Sequence, residues 1–191
     1  MKKIYLTYAH YIQVNPMATE EQIWIARDLP KCSGCRMCEV ACSLHHEKTI
    51  WPEASRVRVF MLVPGAEYPH LCTQCHDYPC VEACPVDALS VDEGTSAVIV
   101  DREKCTSCMA CIAACPGRVP ILHPGDNKAV ICDLCGGDPE CVKVCQGGNW
   151  DVLRLVERTE EHSYKLYAKR PEEVTRGLVT IIFGERGKEL M

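Results

Sequence analysis

The chain has 191 residues, room for one ordinary domain or two small ones, and a net charge of −5 with its basic residues scattered. That distribution lacks the clustered Lys/Arg footprint of a nucleic-acid binder, and apolar runs such as Ala97 to Val100 and Leu178 to Phe183 are too short to span a bilayer. Its 16 cysteines are far above ordinary usage and narrow the reading to a disulfide framework or to metal ligation by reduced thiols.

The first residues favour the thiols. MKKIYLTYAHYIQVNP carries polar and aromatic residues where a secretory signal would carry an apolar stretch, and there is no twin-arginine motif. The expectation is a cytoplasmic protein with reduced cysteines. Ile4 to Val14 alternates loosely and reads as a strand. Thr19-Glu20-Glu21-Gln22 reads as a helix start with a capping box leading into IWIARD.

The cysteines then come in four runs. Run one is Cys32, Cys35, Cys38 and Cys42, spaced C-x2-C-x2-C-x3-C. Run two is Cys72, Cys75, Cys80 and Cys84, with four residues in its middle gap. After it, ALSV and AVIV read as two strands joined by the turn DEGTS. Run three, Cys105, Cys108, Cys111 and Cys115, repeats the spacing of run one. Run four is Cys132, Cys135, Cys141 and Cys145, with five residues in the middle gap. The chain is therefore a fourfold internal repeat. Beyond it, LVTIIF reads as a strand ending at Gly184.

A cubane iron–sulfur cluster needs four thiolates aimed at its four iron corners. Three cysteines a few residues apart can curl around one cubane, while the fourth starts away along a helix and reaches its neighbour. That exchange is the behaviour of the C-x2-C-x2-C-x3-C-P run in two-cluster ferredoxins, and Cys84-Pro85 and Cys115-Pro116 match even its proline. The hairpin between runs two and three makes them one contiguous unit, which leaves runs one and four to pair around it. The expected ligand sets are Cys32, Cys35, Cys38 with Cys145; Cys132, Cys135, Cys141 with Cys42; Cys72, Cys75, Cys80 with Cys115; and Cys105, Cys108, Cys111 with Cys84. Zinc is the competing reading, because it too binds C-x2-C pairs. It has no use for the third evenly spaced cysteine of runs one and three.

Other candidates are weaker. His45, His46 and His76 lie in or beside the runs. Adjacent histidines point opposite ways on most backbones, so a hydrogen bond to sulfur is expected before ligation. Lys31 and Lys104 each precede a first cysteine and read as solvated. No GxGxxG, P-loop or G-x-S-x-G elbow is present, so no active site is expected.

The four runs, from Lys31 to Gln146, resemble the four-cluster iron–sulfur subunits of oxidoreductase complexes, such as those of dimethyl sulfoxide reductase, formate dehydrogenase and carbon monoxide dehydrogenase. The stretch KCSGCRMCEVACSLHHEKTIWPEASRVRV is most similar to small ferredoxin subunits accompanying tungsten enzymes of the aldehyde ferredoxin oxidoreductase family, a group that includes tungsten-dependent benzoyl-CoA reductase. The resemblance implies four 4Fe–4S clusters, single-electron transfer to or from a tungsten or molybdenum catalytic subunit, and a further protein as electron donor or acceptor. A free-standing polyferredoxin shuttle is the alternative. The implied fold is α+β, with two bacterial-ferredoxin-like units related by pseudo-twofold symmetry and one inserted in the other. The outer unit spans 32–67 and 117–145, the inserted unit 68–116, and extensions cover 1–31 and 146–191.

Overall fold

The computed structural model describes residues 23–157 and 167–190. Between runs one and two lie β2 (Arg58–Phe60) and β3 (Tyr68–His70), antiparallel with Val59 opposite Pro69. Between runs two and three lie the expected strands, β4 (Leu89–Val91) and β5 (Val98–Val100), with Leu89 opposite Val100. Their turn is tied by Asp92, whose Oδ2 accepts from the amide and hydroxyl of Thr95 at 2.8 and 2.7 Å. Between runs three and four lie β6 (Ile121–Leu122) and β7 (Ala129–Val130). Every gap between runs is thus bridged by a short hairpin. A fourth ribbon joins the flanks: β1 (Ile23–Arg27) pairs antiparallel with β8 (Leu153–Glu157).

Each run ends on a helix: α1 (Met37–Glu47), α2 (Pro79–Glu82), α3 (Ala110–Ala114) and α4 (Glu140–Gly147). Helix α1 packs against α4, and α2 against α3. Among the described residues no helix is long and apolar enough to cross a membrane.

Two expectations are corrected. IWIARD does not continue a helix: Ile23–Arg27 is strand β1, because Trp24, Ile25, Ala26 and Arg27 are all buried once β8 lies beside them. The expected helix start at Thr19–Gln22 and the strand at Ile4–Val14 fall outside the described residues. LVTIIF is not a strand but the last two turns of α5 (Pro171–Phe183). Its buried residues are Val174, Thr175, Leu178 and Val179, a stripe at helical spacing. Pro171 opens the first turn, and Glu173 accepts from the Arg170 amide at 2.9 Å. Gly184 does end it, at φ 63°.

Two of the three buried apolar clusters are built largely from cysteines and the residues of the hairpins. The third contains none. It joins Trp24, Leu29, Tyr68, Tyr167, Val174, Leu178 and Val179, and so docks α5 onto β1 and β3. Leu178 is 2% exposed there. Leu178→Ala is expected to cost about 2–5 kcal/mol in anaerobic chemical denaturation while leaving the iron content of the purified protein unchanged.

Candidate metal centres

The same local geometry recurs in all four runs. In each, the third cysteine (Cys38, Cys80, Cys111, Cys141) is the second residue of its helix. A left-handed residue turns the chain just before three of these helices: Arg36 at φ 60°, Tyr78 at 37° and Met109 at 63°. Run four makes the turn earlier, with Cys135 at φ 51° and Gly136 at 69°. Tyr78 is bulky for that region, and its hydroxyl is anchored by donating to the Ser96 carbonyl at 3.1 Å.

The fourth cysteine follows the third by four residues in every run, about 6 Å further along a helical path. That displacement carries it past the space its own run surrounds. Cys72, Cys75, Cys80 and Cys115 line one hollow. Cys105, Cys108, Cys111 and Cys84 line a second. Cys32, Cys35, Cys38 and Cys145 line a third. Of the remaining four, Cys42, Cys132 and Cys141 share one buried cluster. Burial first, then neighbouring thiols, pushes the Cys141 and Cys132 thiols well above their ordinary value.

Neighbouring sets adjoin in a fixed order. Cys80, Cys105 and Cys111 share one buried cluster and Cys38, Cys42, Cys132, Cys141 and Cys145 another, Cys72 packs against both, and Gln74 ties run two to the Cys132 carbonyl. The four sets therefore form a row that begins with run three, passes through runs two and four, and ends with run one. Cys108 and Cys35, in the two end sets, are the exposed cysteines.

These are poor sites for empty thiolates. Burial lifts Cys32 and Cys135 to about 11 and Cys38 and Cys80 to about 12, so without a cation the thiols stay protonated. Sulfur is nonetheless set up as an acceptor. The amides of Ala88, Val119 and Ala129 donate to Cys84, Cys115 and Cys105 at 3.3, 3.4 and 3.4 Å. Those of Arg56 and Gln74 donate to Cys42 and Cys72 at 3.3 and 3.4 Å. Four soft sulfur donors in each set fit an iron–sulfur group.

Among the described residues, the group whose ligand atoms do converge for a single ion is His45, His46 and Cys135, all within 4.8 Å of one another. The two histidines thus do not point apart. Their rings meet edge to face at 4.8 Å near the end of α1. Burial first, then Arg56 and His45, lowers His46 to about 4 against the pull of Asp133. The ring is neutral at ordinary pH, and its Nε2 faces Cys135 Sγ at 3.8 Å and Asp133 Oδ1 at 3.4 Å. His76 is exposed. Lys31 and Lys104 are exposed and paired with Asp28 and Asp101 at 2.8 and 3.5 Å.

Sequence reasoning missed two buried polar residues at the centre of the row. Gln74 is fully buried; its Nε2 donates to the Cys132 carbonyl at 3.0 Å and its Oε1 accepts from Val98 at 3.3 Å, tying run two to run four and to β5. Arg27 ends β1 at 2% exposure and donates to the Cys72 carbonyl at 3.3 Å.

Comparison with known proteins points to iron–sulfur binding. The 4Fe-4S dicluster domain family matches residues 65–154, and the 4Fe-4S binding domain family matches residues 29–44. The chain belongs to this 4Fe–4S ferredoxin-like family. Within it, the chain is 54% identical to the aliphatic sulfonate oxidoreductase, polyferredoxin-like subunit, of Pyrococcus furiosus, over 87% of this chain and 96% of that one. It is 32% identical to protein NrfC of Escherichia coli over 74% of each. Among solved structures it is similar to a chain of the active site complex BamBC of benzoyl coenzyme A reductase, with 27% identity, a TM-score of 0.42, and coverage of 87% of this chain and 94% of that one.

Proposed function

We propose that this chain is the electron-transfer subunit of a multi-subunit oxidoreductase, relaying single electrons through four 4Fe–4S clusters to or from a tungsten or molybdenum catalytic subunit. The observation that carries the reading is the row of four cysteine quartets with an exposed cysteine at each end. A cubane in each quartet would supply a one-electron site. The chain's own work is to fix the order, spacing and surroundings of those sites.

In this reading Cys32, Cys35, Cys38 and Cys145 hold one cluster, and Cys132, Cys135, Cys141 and Cys42 the next. Cys72, Cys75, Cys80 and Cys115 hold the third, and Cys105, Cys108, Cys111 and Cys84 the fourth. The packing of α1 on α4 and of α2 on α3 supports two ferredoxin-like units, 68–116 inserted within 32–67 and 117–145. Subunit status is supported by the P. furiosus relative, whose name places it in an aliphatic sulfonate oxidoreductase. The tungsten or molybdenum partner rests on the sequence resemblance of the stretch from Lys31 to Val59. An aliphatic sulfonate, an aldehyde or benzoyl-CoA is the substrate to assay.

Each cubane contains four irons and four sulfides, so full loading predicts about sixteen of each per chain. Anaerobic purification from the native source, with iron, sulfide, tungsten and molybdenum analysis and native mass, tests the whole reading. Half the iron with stoichiometric zinc would sink the four-cluster count. A brown monomer with no catalytic partner would favour a free shuttle.

A further inference from the structure

Arg27 is a cation in the wrong place for an ordinary protein interior. It is 2% exposed, and arginine cannot shed its proton to escape the cost of burial. A buried charge is retained when an opposite charge and hydrogen bonds compensate it. Here the hydrogen bonds fall short: one Nη donates to the Cys72 carbonyl at 3.3 Å, while the buried Nε has no partner. The guanidinium lies 4.8 Å over the ring of Tyr167, whose hydroxyl donates to the Arg27 carbonyl at 2.7 Å. Among the described residues no carboxylate forms an ion pair with it. The cysteine it bonds, Cys72, belongs to the run-two quartet, and Gln74, two residues on, donates to the carbonyl of Cys132 in the run-four quartet at 3.0 Å. Arg27 thus sits beside the junction of the two middle members of the row.

We propose that Arg27 is the counter-ion of the two central clusters and raises the reduction potential of both. The proposal rests on the reading that these quartets hold 4Fe–4S groups. Four thiolates outweigh the positive charge of a cubane core, so a cluster in either quartet is anionic, and each added electron makes it more so. A fixed positive charge stabilises the reduced state more than the oxidised one. It acts through an interior of low dielectric that salt does not screen. Its hydrogen bond reaches neither end quartet, and runs one and three feel it less. Arg27 touches no substrate. It is a positioning residue that sets where electrons rest along the row.

The test is an anaerobic redox titration of the loaded chain, followed by electron paramagnetic resonance, for wild type, Arg27→Met and Arg27→Lys. Arg27→Met is expected to move two of the four midpoint potentials to more negative values and leave two in place, with iron content unchanged. Arg27→Lys, which keeps the charge, is expected to restore most of the shift. Four potentials moving alike, none moving, or Lys shifting as far as Met would each overturn the proposal. If the Met variant takes up no iron, the Lys variant decides: full loading with near-native potentials upholds the charge requirement, and failure to load overturns it. A colourless, zinc-loaded wild-type chain would instead remove the four-cluster reading itself, and the proposal with it. Metal analysis shows that outcome before any potential is measured.

Discussion

Replacing Cys115 with Ala is expected to convert the cluster nucleated by Cys72, Cys75 and Cys80 to a three-iron form and to spare the one nucleated by Cys105, Cys108 and Cys111. The reason is where Cys115 sits. It caps the end of α3 and lines the run-two hollow, and it takes no part in lining the hollow of its own run. A cubane deprived of one thiolate readily loses the iron left bare, and the three-iron product has its own magnetic signature. The site is located by repeating the substitution in a chain whose Cys72, Cys75 and Cys80 are all Ser, where Cys115→Ala should add no new signal. A fresh three-iron species in that background would show Cys115 serving its own run, and the crossed assignment would be wrong. Cys145→Ala should act in the same way on the cluster nucleated by Cys32, Cys35 and Cys38, whose hollow it lines.

Stripping the iron with a chelator under reducing conditions should have the largest effect on the fold. Two of the three apolar clusters count Cys38, Cys42, Cys80, Cys105, Cys111, Cys132, Cys141 and Cys145 among their buried members, so each is packed around the space the quartets enclose. The hairpins between runs have strands of two or three residues, too short to stand alone. The loss is expected to approach the whole stability of a domain, about 5–15 kcal/mol. The cysteine-free cluster of Trp24, Tyr68, Tyr167 and Leu178 has no ligand to lose. Hydrogen exchange of the stripped chain should therefore collapse across 72–145 while amides of β1, β8 and α5 keep partial protection. An apo chain with the same urea midpoint and cooperativity as the loaded one would refute the dependence.

Much of the site was legible because ligation leaves a rigid signature in sequence. Few residue types can stand in for a thiolate at a cluster corner, so the spacing of sixteen cysteines carries much of the geometry. The hairpin of Leu89–Val91 and Val98–Val100 was legible for a similar reason, since turn residues sit where the turn must be. The misses share one cause, which is that their partners lie far away in the chain. IWIAR comes after a strong local capping signal, and only β8, beyond all four runs, makes it a strand. LVTIIF is rich in β-branched residues, and its helical stripe shows once Val174 and Thr175 are counted with Leu178 and Val179. Arg27 looked like any polar residue at the end of an apolar segment. Its partners there are the Tyr167 ring and the Cys72 carbonyl, neither of them near it in sequence.

The packing of α1 on α4 also bears on how the chain is made. On the ribosome, runs two and three and the hairpin joining them emerge as one unbroken stretch, and α2 finds α3 almost at once. Helix α1 is synthesised earlier but has nothing to pack against until α4 emerges, at the far side of that stretch. The outer pair of helices is thus completed only after the inner pair, and packing runs from the middle outwards. Run one waits unpaired for as long as run four takes to follow it. A protein built this way gains from a chaperone, or a catalytic partner, that shelters run one during synthesis.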